Sequence, residues 1–272
     1  MENKKLRISV IGAGAMGSAI VKGLMNAALT DPKNIMVFDV EPQKSRSLEI
    51  EFGLRVTESI ETAVSKDDSV VILAVKPQQM EGALHALAPA VLTCTLVISI
   101  AAGISTEYMI SKIGADRRVI RAMPNAAAMV GQSSTAICAG GVANEHDMIT
   151  AKRLFESIGT VVEVDEKNLN AVTALSGSGP GYLFLVMEAM TDAGVLMGLS
   201  RSIARELTVQ TFLGAASMAS QGKSFSDLKD LITSPGGTTI SGLKIMELAG
   251  VRGTFMQAVE NAAHRAEQMS GR

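Results

Sequence analysis

The stretch whose reading decides the fold is Leu6-Arg7-Ile8-Ser9-Val10-Ile11-Gly12-Ala13-Gly14-Ala15-Met16-Gly17. An apolar run with the character of a buried strand passes directly into glycines spaced G-x-G-x-x-G, and a helical pattern over residues 16–29 follows. Strand, glycine turn and helix in that order are the context that gives the spacing mechanical meaning. The first glycine permits a tight turn, the second lets backbone approach a pyrophosphate, and the third lets helix and strand pack closely. The helix start then offers free N–H groups and a partial positive charge to phosphate. The same spacing also suits a plain structural turn in an α/β protein.

Beyond this turn the first half keeps a strand–helix rhythm. Strands are expected over residues 6–11, 35–39, 69–74, 95–100, 118–122, 135–139 and 160–164, with helices over 16–29, 42–52 and 78–92. Near-continuous Val/Ile/Leu runs suit parallel strands covered on both faces, so the fold class is α/β, with a doubly wound sheet first. After Asp165 strand patterns stop. Residues 182–198 are apolar almost all round, with Glu188, Thr191 and Asp192 forming one narrow polar stripe. Such a helix must be covered on most sides. The remaining helical patterns, residues 200–220 and the stripe Phe255, Met256, Val259, Ala262, Ala263, Ala266 and Met269, offer limited cover. A second subunit is the inferred source of the rest; a self-contained bundle is the alternative. Two domains follow, residues 1–165 for dinucleotide binding and residues 166–272 all-α, joined by a short linker.

Composition excludes several classes. Of 272 residues, 47% are hydrophobic and 19% charged, which argues against disorder. The net charge of −2 leaves no surplus of Lys and Arg for a nucleic-acid footprint. The longest apolar runs, residues 70–75 and 96–102, fall short of the roughly 18–20 residues a membrane span needs. Basic residues precede an apolar stretch at the N-terminus, but that stretch ends at Ile11 in the glycines, and a signal-peptide reading is rejected. Cys94 and Cys138 make no disulfide framework, and a reducing cytoplasm is the expected location. His85, His146 and His264 have no second His at helical spacing, so no metal site is expected.

Asp39 ends the second strand, twenty-two residues after Gly17. An acid there accepts hydrogen bonds from the ribose hydroxyls of NAD and repels a 2′-phosphate. Glu41 adds to that repulsion, and Lys44 and Arg46 offset it only by reaching back. The expected cofactor is NAD(P)H, leaning to NADH; the alternative for Asp39 is a plain helix N-cap. Two later strand ends should border the same crevice: Ala74-Val75-Lys76-Pro77, and Ser99-Ile100-Ala101-Ala102-Gly103. Lys76 is either an active-site cation or a solvated loop lysine. Two further segments, Ser176-Gly177-Ser178-Gly179-Pro180-Gly181-Tyr182 and Ser234-Pro235-Gly236-Gly237-Thr238-Thr239, open helices with small residues and hydroxyls. They are helix caps or anion pockets; in the second, the amides of Gly236 to Thr239 could hold a substrate carboxylate.

Along essentially its whole length the chain resembles the pyrroline-5-carboxylate reductases. The resemblance rests on the glycine fingerprint, Ala74-Val75-Lys76-Pro77, Arg121-Ala122-Met123-Pro124-Asn125, Leu175-Ser176-Gly177-Ser178-Gly179-Pro180, and Leu228-Lys229-Asp230 followed by Thr233-Ser234-Pro235-Gly236-Gly237-Thr238-Thr239. It implies an N-terminal Rossmann domain and a C-terminal helical domain for substrate binding and dimerisation, with homodimers often assembled into larger rings. It also implies the last step of proline synthesis. For NAD(P)H it implies Ile11, Gly12, Ala13, Gly14, Ala15 and Met16, with Ala74 to Pro77 and Ile100, Ala101 and Ala102. For the substrate it implies Glu166, Asp230, Thr238 and Thr239, with Ser234 and Gly237 in the carboxylate-holding loop. Many relatives carry an Asn near Ser59 that touches the cofactor, and some an Asn at Leu231; Gly181 stands where many have Ala.

The substrate so implied has a cyclic C=N bond and a carboxylate. A protonated imine accepts hydride without a nucleophile, metal or covalent intermediate, which suits a chain without a Cys–His pair. Thr239 is the expected hydrogen-bond partner of the ring nitrogen. The nearest rival is a β-hydroxyacid dehydrogenase, whose family resemblance requires a Lys on the helix after the glycine-rich turn. Residues 177–198 contain no Lys. A non-catalytic NAD sensor is the third reading, disfavoured by the anion-pocket segments.

Overall fold

The apolar runs become strands of one sheet in the computed structural model, which describes residues 6–64 and 70–270. Ser69, the first residue of the third expected strand, lies outside the described residues. The strands are β1 (Ile8–Ile11), β2 (Ile35–Phe38), β3 (Arg55–Val56), β4 (Val70–Leu73), β5 (Leu96–Ser99), β6 (Arg118–Met123), β7 (Ser133–Gly141) and β8 (Gly159–Glu163). Their spatial order is β3-β2-β1-β4-β5-β6-β7-β8. Every residue of β1, β4 and β5 is buried, as continuous apolar runs require when helices cover both sheet faces. Alternation divides them between two cores. Ile8, Val10, Val70 and Ile72 join Leu24 and Phe155 on one face; Ile11, Val71 and Leu73 join Met80 and Leu84 on the other. Each such side chain contributes about 1.5–3 kcal/mol on full burial.

The helices of this part are α1 (Ala15–Asn26), α2 (Pro42–Phe52), α3 (Ile60–Ala63), α4 (Met80–Leu87), α5 (Thr106–Ile113), α6 (Glu145–Phe155) and α7 (Leu169–Val172). β3 was not expected, since two residues are too few to form a pattern. The pair β6–β7 is antiparallel, with Arg118 opposite Gly141 and Met123 opposite Ala136. The short connection between them holds only a 3-10 turn, Ala126–Val130, and so no crossover helix. Helix α6 makes that crossover later, and β7–β8 is parallel again.

By contacts the chain divides into Met1–Ser178 with Ala262–Arg272, and Gly179–Asn261. The expected boundary at residue 165 is one of sequence, and the contact division falls thirteen residues later. Residues 166–178 stay with the sheet because Leu169 is fully buried against Ala136 and Cys138, and Asn125 Nδ2 donates to the Ser176 carbonyl at 2.9 Å.

The second unit consists of α8 (Gly179–Leu196), α9 (Arg201–Ala219), α10 (Phe225–Leu231), α11 (Thr238–Leu248) and the first part of α12 (Val251–Ser270). Helices α8 and α9 pack closely at Gly194, where a Cβ would come within 2.8 Å of that of Ala204. Thr191 and Thr208 meet there as well, and Arg201 pairs with Asp192 at 2.7 Å. Helix α8 buries only Thr191, while Phe184, Leu185 and Leu196 stand open. No helix among the described residues is long and apolar enough to cross a membrane.

Candidate functional site

In the order β3-β2-β1-β4, successive crossovers run in opposite directions from β1, and a crevice opens beyond the strand ends there. It is a cavity of about 480 Å³. Gly12 and Gly14 follow β1, Asp39 and Val40 follow β2, and Ala74, Val75 and Lys76 follow β4 along its wall; Glu41 and Lys44 complete one rim. The glycines divide in role. Gly12 sits at φ +106°, and a Cβ there would come within 2.5 Å of the Ala74 carbonyl oxygen. A Cβ on Gly17 would collide with the Gly12 carbonyl. Gly14, by contrast, has nothing within 4 Å of an added Cβ, and it lines the cavity. It is also the N-cap of α1 and offers no side chain to cap the first-turn amides. An open, glycine-lined helix start of this kind fits the pyrophosphate of a dinucleotide.

Asp39 is held by backbone on both oxygens. Ala13 N–H donates to Oδ2 at 2.6 Å and Glu41 N–H to Oδ1 at 2.8 Å. The second bond reaches two residues ahead, as in an Asx turn. The N-cap of α2 is Glu41, so the capping alternative for Asp39 does not hold. Lys44 Nζ lies 2.5 Å from Glu41 Oε1, and this bond raises the lysine pKa above its ordinary value. Lys76 is exposed at the cavity wall.

Other expected cofactor residues stand further back. Ile11 is fully buried, and its carbonyl accepts from Ala74 N–H at 2.7 Å. Ala15 and Met16 lie in the first turn of α1. Ser59 caps α3 by accepting from Thr62 N–H at 3.3 Å, and its neighbour Ile60 lines the cavity instead. Pro77, Ile100, Ala101 and Ala102 are not part of the wall; Ala101 is buried with its N–H on Ser99 Oγ at 3.2 Å. Sequence reasoning missed Phe38, Gln78, Gln79, Gly82 and Ala83. The last three share helical spacing after the β4 strand end, which is the signal that could have found them.

The substrate-side residues fall in both units. Asp230, Ser234, Gly237, Thr238 and Thr239 belong to the helical unit and Glu166 to the sheet unit. Gly236 turns the chain at φ +67°, Gly237 N–H donates to the Ser234 carbonyl at 3.0 Å, and α11 begins at Thr238. A Cβ on Gly237 would collide with Ser234 Oγ. The Gly237 amide is therefore engaged, and Thr238 and Thr239 carry the first helical N–H groups. The other glycine-rich segment leads into α8, which begins at Gly179, and a π turn precedes it. Residues 173–177 form a π turn continuous with α7, and Ser178 N–H donates to the Thr173 carbonyl at 2.9 Å.

Glu166 is enclosed by donors. Its carboxylate accepts from Thr106 N–H at 2.8 Å, from Thr106 Oγ1 at 2.5 Å and from Arg121 Nη1 at 3.3 Å. Cys138, opposite Arg121 in the sheet, has its thiol pushed up to about 11 by burial and by Glu166. No group of three or more His, Cys, Asp or Glu suited to a metal occurs among the described residues.

Comparison with known proteins assigns the chain. The family described as pyrroline-5-carboxylate reductase dimerisation matches residues 166–269, and the one described as NADP oxidoreductase, coenzyme F420-dependent, matches residues 7–103. The pyrroline-5-carboxylate reductase of Methanosarcina acetivorans is 42% identical over 99% of both chains. The chain belongs to the pyrroline-5-carboxylate reductase family. The enzyme of that name from Pisum sativum is 40% identical over 97% of this chain and 96% of its own. Among solved structures, a pyrroline-5-carboxylate reductase from Coxiella burnetii superposes with a TM-score of 0.93 at 34% identity, covering 98% of this chain and 99% of the other. The Plasmodium falciparum pyrroline carboxylate reductase, described with NADP bound, gives 0.87 at 32% identity over 99% of both. Membership makes this chain an oxidoreductase with an N-terminal coenzyme domain and a helical domain of the dimerisation type.

Proposed function

We propose that the protein reduces the C=N bond of 1-pyrroline-5-carboxylate with hydride from NAD(P)H, giving L-proline. The observation that carries this reading is the match to pyrroline-5-carboxylate reductases over both units, not over the coenzyme half alone. The coenzyme supplies the hydride; the chain supplies position and charge. Gly12, Gly14 and the first amides of α1 are assigned to the pyrophosphate, with the adjoining residues Ile11 to Gly17. Asp39 is assigned to the adenosine ribose and Ala74 to Lys76 to the adjoining wall, with Pro77, Ser59 and Ile100 to Ala102, which lie off that wall, assigned to coenzyme contacts beyond it. The Asp39 carboxylate and the neighbouring Glu41 favour NADH over NADPH by charge.

On the substrate side, the Thr238 and Thr239 amides, free at the start of α11, suit a carboxylate. Ser234 and Gly237 shape that turn, and Asp230 stands just before it. The Thr239 hydroxyl oxygen accepts a hydrogen bond from the protonated ring nitrogen, which favours the iminium form whose carbon is electrophilic. Glu166 acts through its bonds to Thr106 and Arg121. Alignment of donor and acceptor alone can contribute roughly 7–11 kcal/mol to lowering a barrier.

The working form proposed is a homodimer covered across the exposed faces of α8 to α12, with rings of dimers as the larger assembly, in the reducing cytoplasm where Cys94 and Cys138 remain free thiols. The test is oxidation of NADH and NADPH followed in parallel with 1-pyrroline-5-carboxylate. Turnover to proline with a higher kcat/KM for NADH is the expected result. Protein inert with both coenzymes removes the function; a strong preference for NADPH removes the charge argument at Asp39.

A further inference from the structure

Beside Asp39, at the rim of the cleft, a glutamate and a lysine hold each other. Glu41 stands at the N-cap of α2, and Lys44, three residues on, closes an ion pair with it at 2.5 Å. Both line the cavity, yet their side chains remain 65% and 43% exposed. An exposed pair of this kind contributes little net stability, because water competes for both charges, and it exchanges partners readily. Asp39 has no such freedom, since two backbone N–H groups fix its oxygens. Among the described residues of the wall the cations are Lys44 and Lys76, and only Lys44 lies on the β2 side where Asp39 stands.

A ribose at that strand end leaves the pair undisturbed if its 2′-oxygen is a hydroxyl. A 2′-phosphate there carries nearly two negative charges and three acceptor oxygens, and so competes with Glu41 for the lysine. Taking Lys44 leaves the Glu41 carboxylate unpaired beside the phosphate. We propose that the Glu41–Lys44 pair is the latch that sets coenzyme choice: Lys44 is the cation available to a 2′-phosphate, and Glu41 withholds it. This rests on the coenzyme reading of the cleft given above.

The experiment is calorimetric titration of the full chain with ADP and with adenosine 2′,5′-bisphosphate, which needs no turnover. The quantity read is the ratio of the two affinities. Glu41→Gln should raise the relative affinity for the bisphosphate about threefold, the scale of one exposed ion pair. Lys44→Met should lower it about tenfold, the scale of one hydrogen bond to a charged group, and Lys44→Arg should restore most of it. The ratio of kcat/KM for NADPH over NADH should move in the same directions. Equal changes for both nucleotides, or an unchanged ratio in both variants, overturns the latch while leaving the cleft assigned. Failure of both nucleotides to bind the parent protein removes the coenzyme cleft and the latch together.

Discussion

The two units are built from comparably apolar sequence and treat it in opposite ways. In the sheet unit, Ile8, Leu24, Ile72 and Phe155 lose essentially all contact with water inside their own chain. In residues 179–261 the buried side chains are Thr191, Ala204 and Thr208, while Phe184 is 65% exposed and Leu185 68%. A sheet presents two flat faces that crossover helices of the same chain can cover. A helix that is apolar all round needs neighbours on several sides, and α9 alone covers little of α8. The sheet unit therefore buries its core within the chain, whereas the helical unit, which matches a dimerisation family, leaves apolar faces that the proposed dimer would cover.

The contrast can be broken at several points. The largest effect is expected in the sheet core: Phe155→Ala should cost about 3–5 kcal/mol in denaturant unfolding, independent of protein concentration. A value below about 1 kcal/mol would mean that the sheet core also depends on something outside the chain. In the helical unit, Leu185→Glu should weaken association by about 2 kcal/mol or more. Light scattering should then find mass shifting toward the 28.5 kDa of one chain. Unaltered mass would take α8 out of the proposed interface. Thr239→Val should lower kcat/KM by about 1–3 kcal/mol with the fold intact, and parental kinetics would remove the hydroxyl from the reaction. The smallest effect belongs to the thiols. Alkylation at pH 8 followed by peptide mass spectrometry should label exposed Cys94 and spare Cys138. The folded Cys138 holds its proton to about pH 11 against an ordinary 9.0, so its contribution to stability is complete below pH 9 and lost as pH rises from 9 through 11. Equal labelling of both cysteines would show the sheet opening where it is expected to be closed.

Much of the fold was legible because it depends on local pattern. The run from Leu6 to Gly17 announces strand, turn and helix, and the later Val/Ile/Leu runs announce covered strands. Two-residue β3 carried no pattern, and the direction of β7 depended on how much chain lay between it and β6. The site was legible in the same measure. Gly14, Asp39 and Lys76 reach the cleft because they follow strand ends, whereas Gln79, Gly82 and Ala83 reach it from the turn and helix that follow β4. At Ser176–Gly179 the composition announced the start of α8 at Gly179, but not the π turn of residues 173–177 that leads into it from α7.

By itself the amino-acid order determined the alternation of elements, the glycine turn and the uncovered character of α8, since each follows from periodicity and steric limits within a few residues. Only the tertiary structure decided that Asp39 is pinned by the Ala13 amide rather than capping a helix, and that Glu166 is enclosed by Thr106 and Arg121. Those outcomes depend on which donors and charges arrive within about 3 Å of a carboxylate once distant strands are aligned. Residue type and spacing along the chain do not encode that distance.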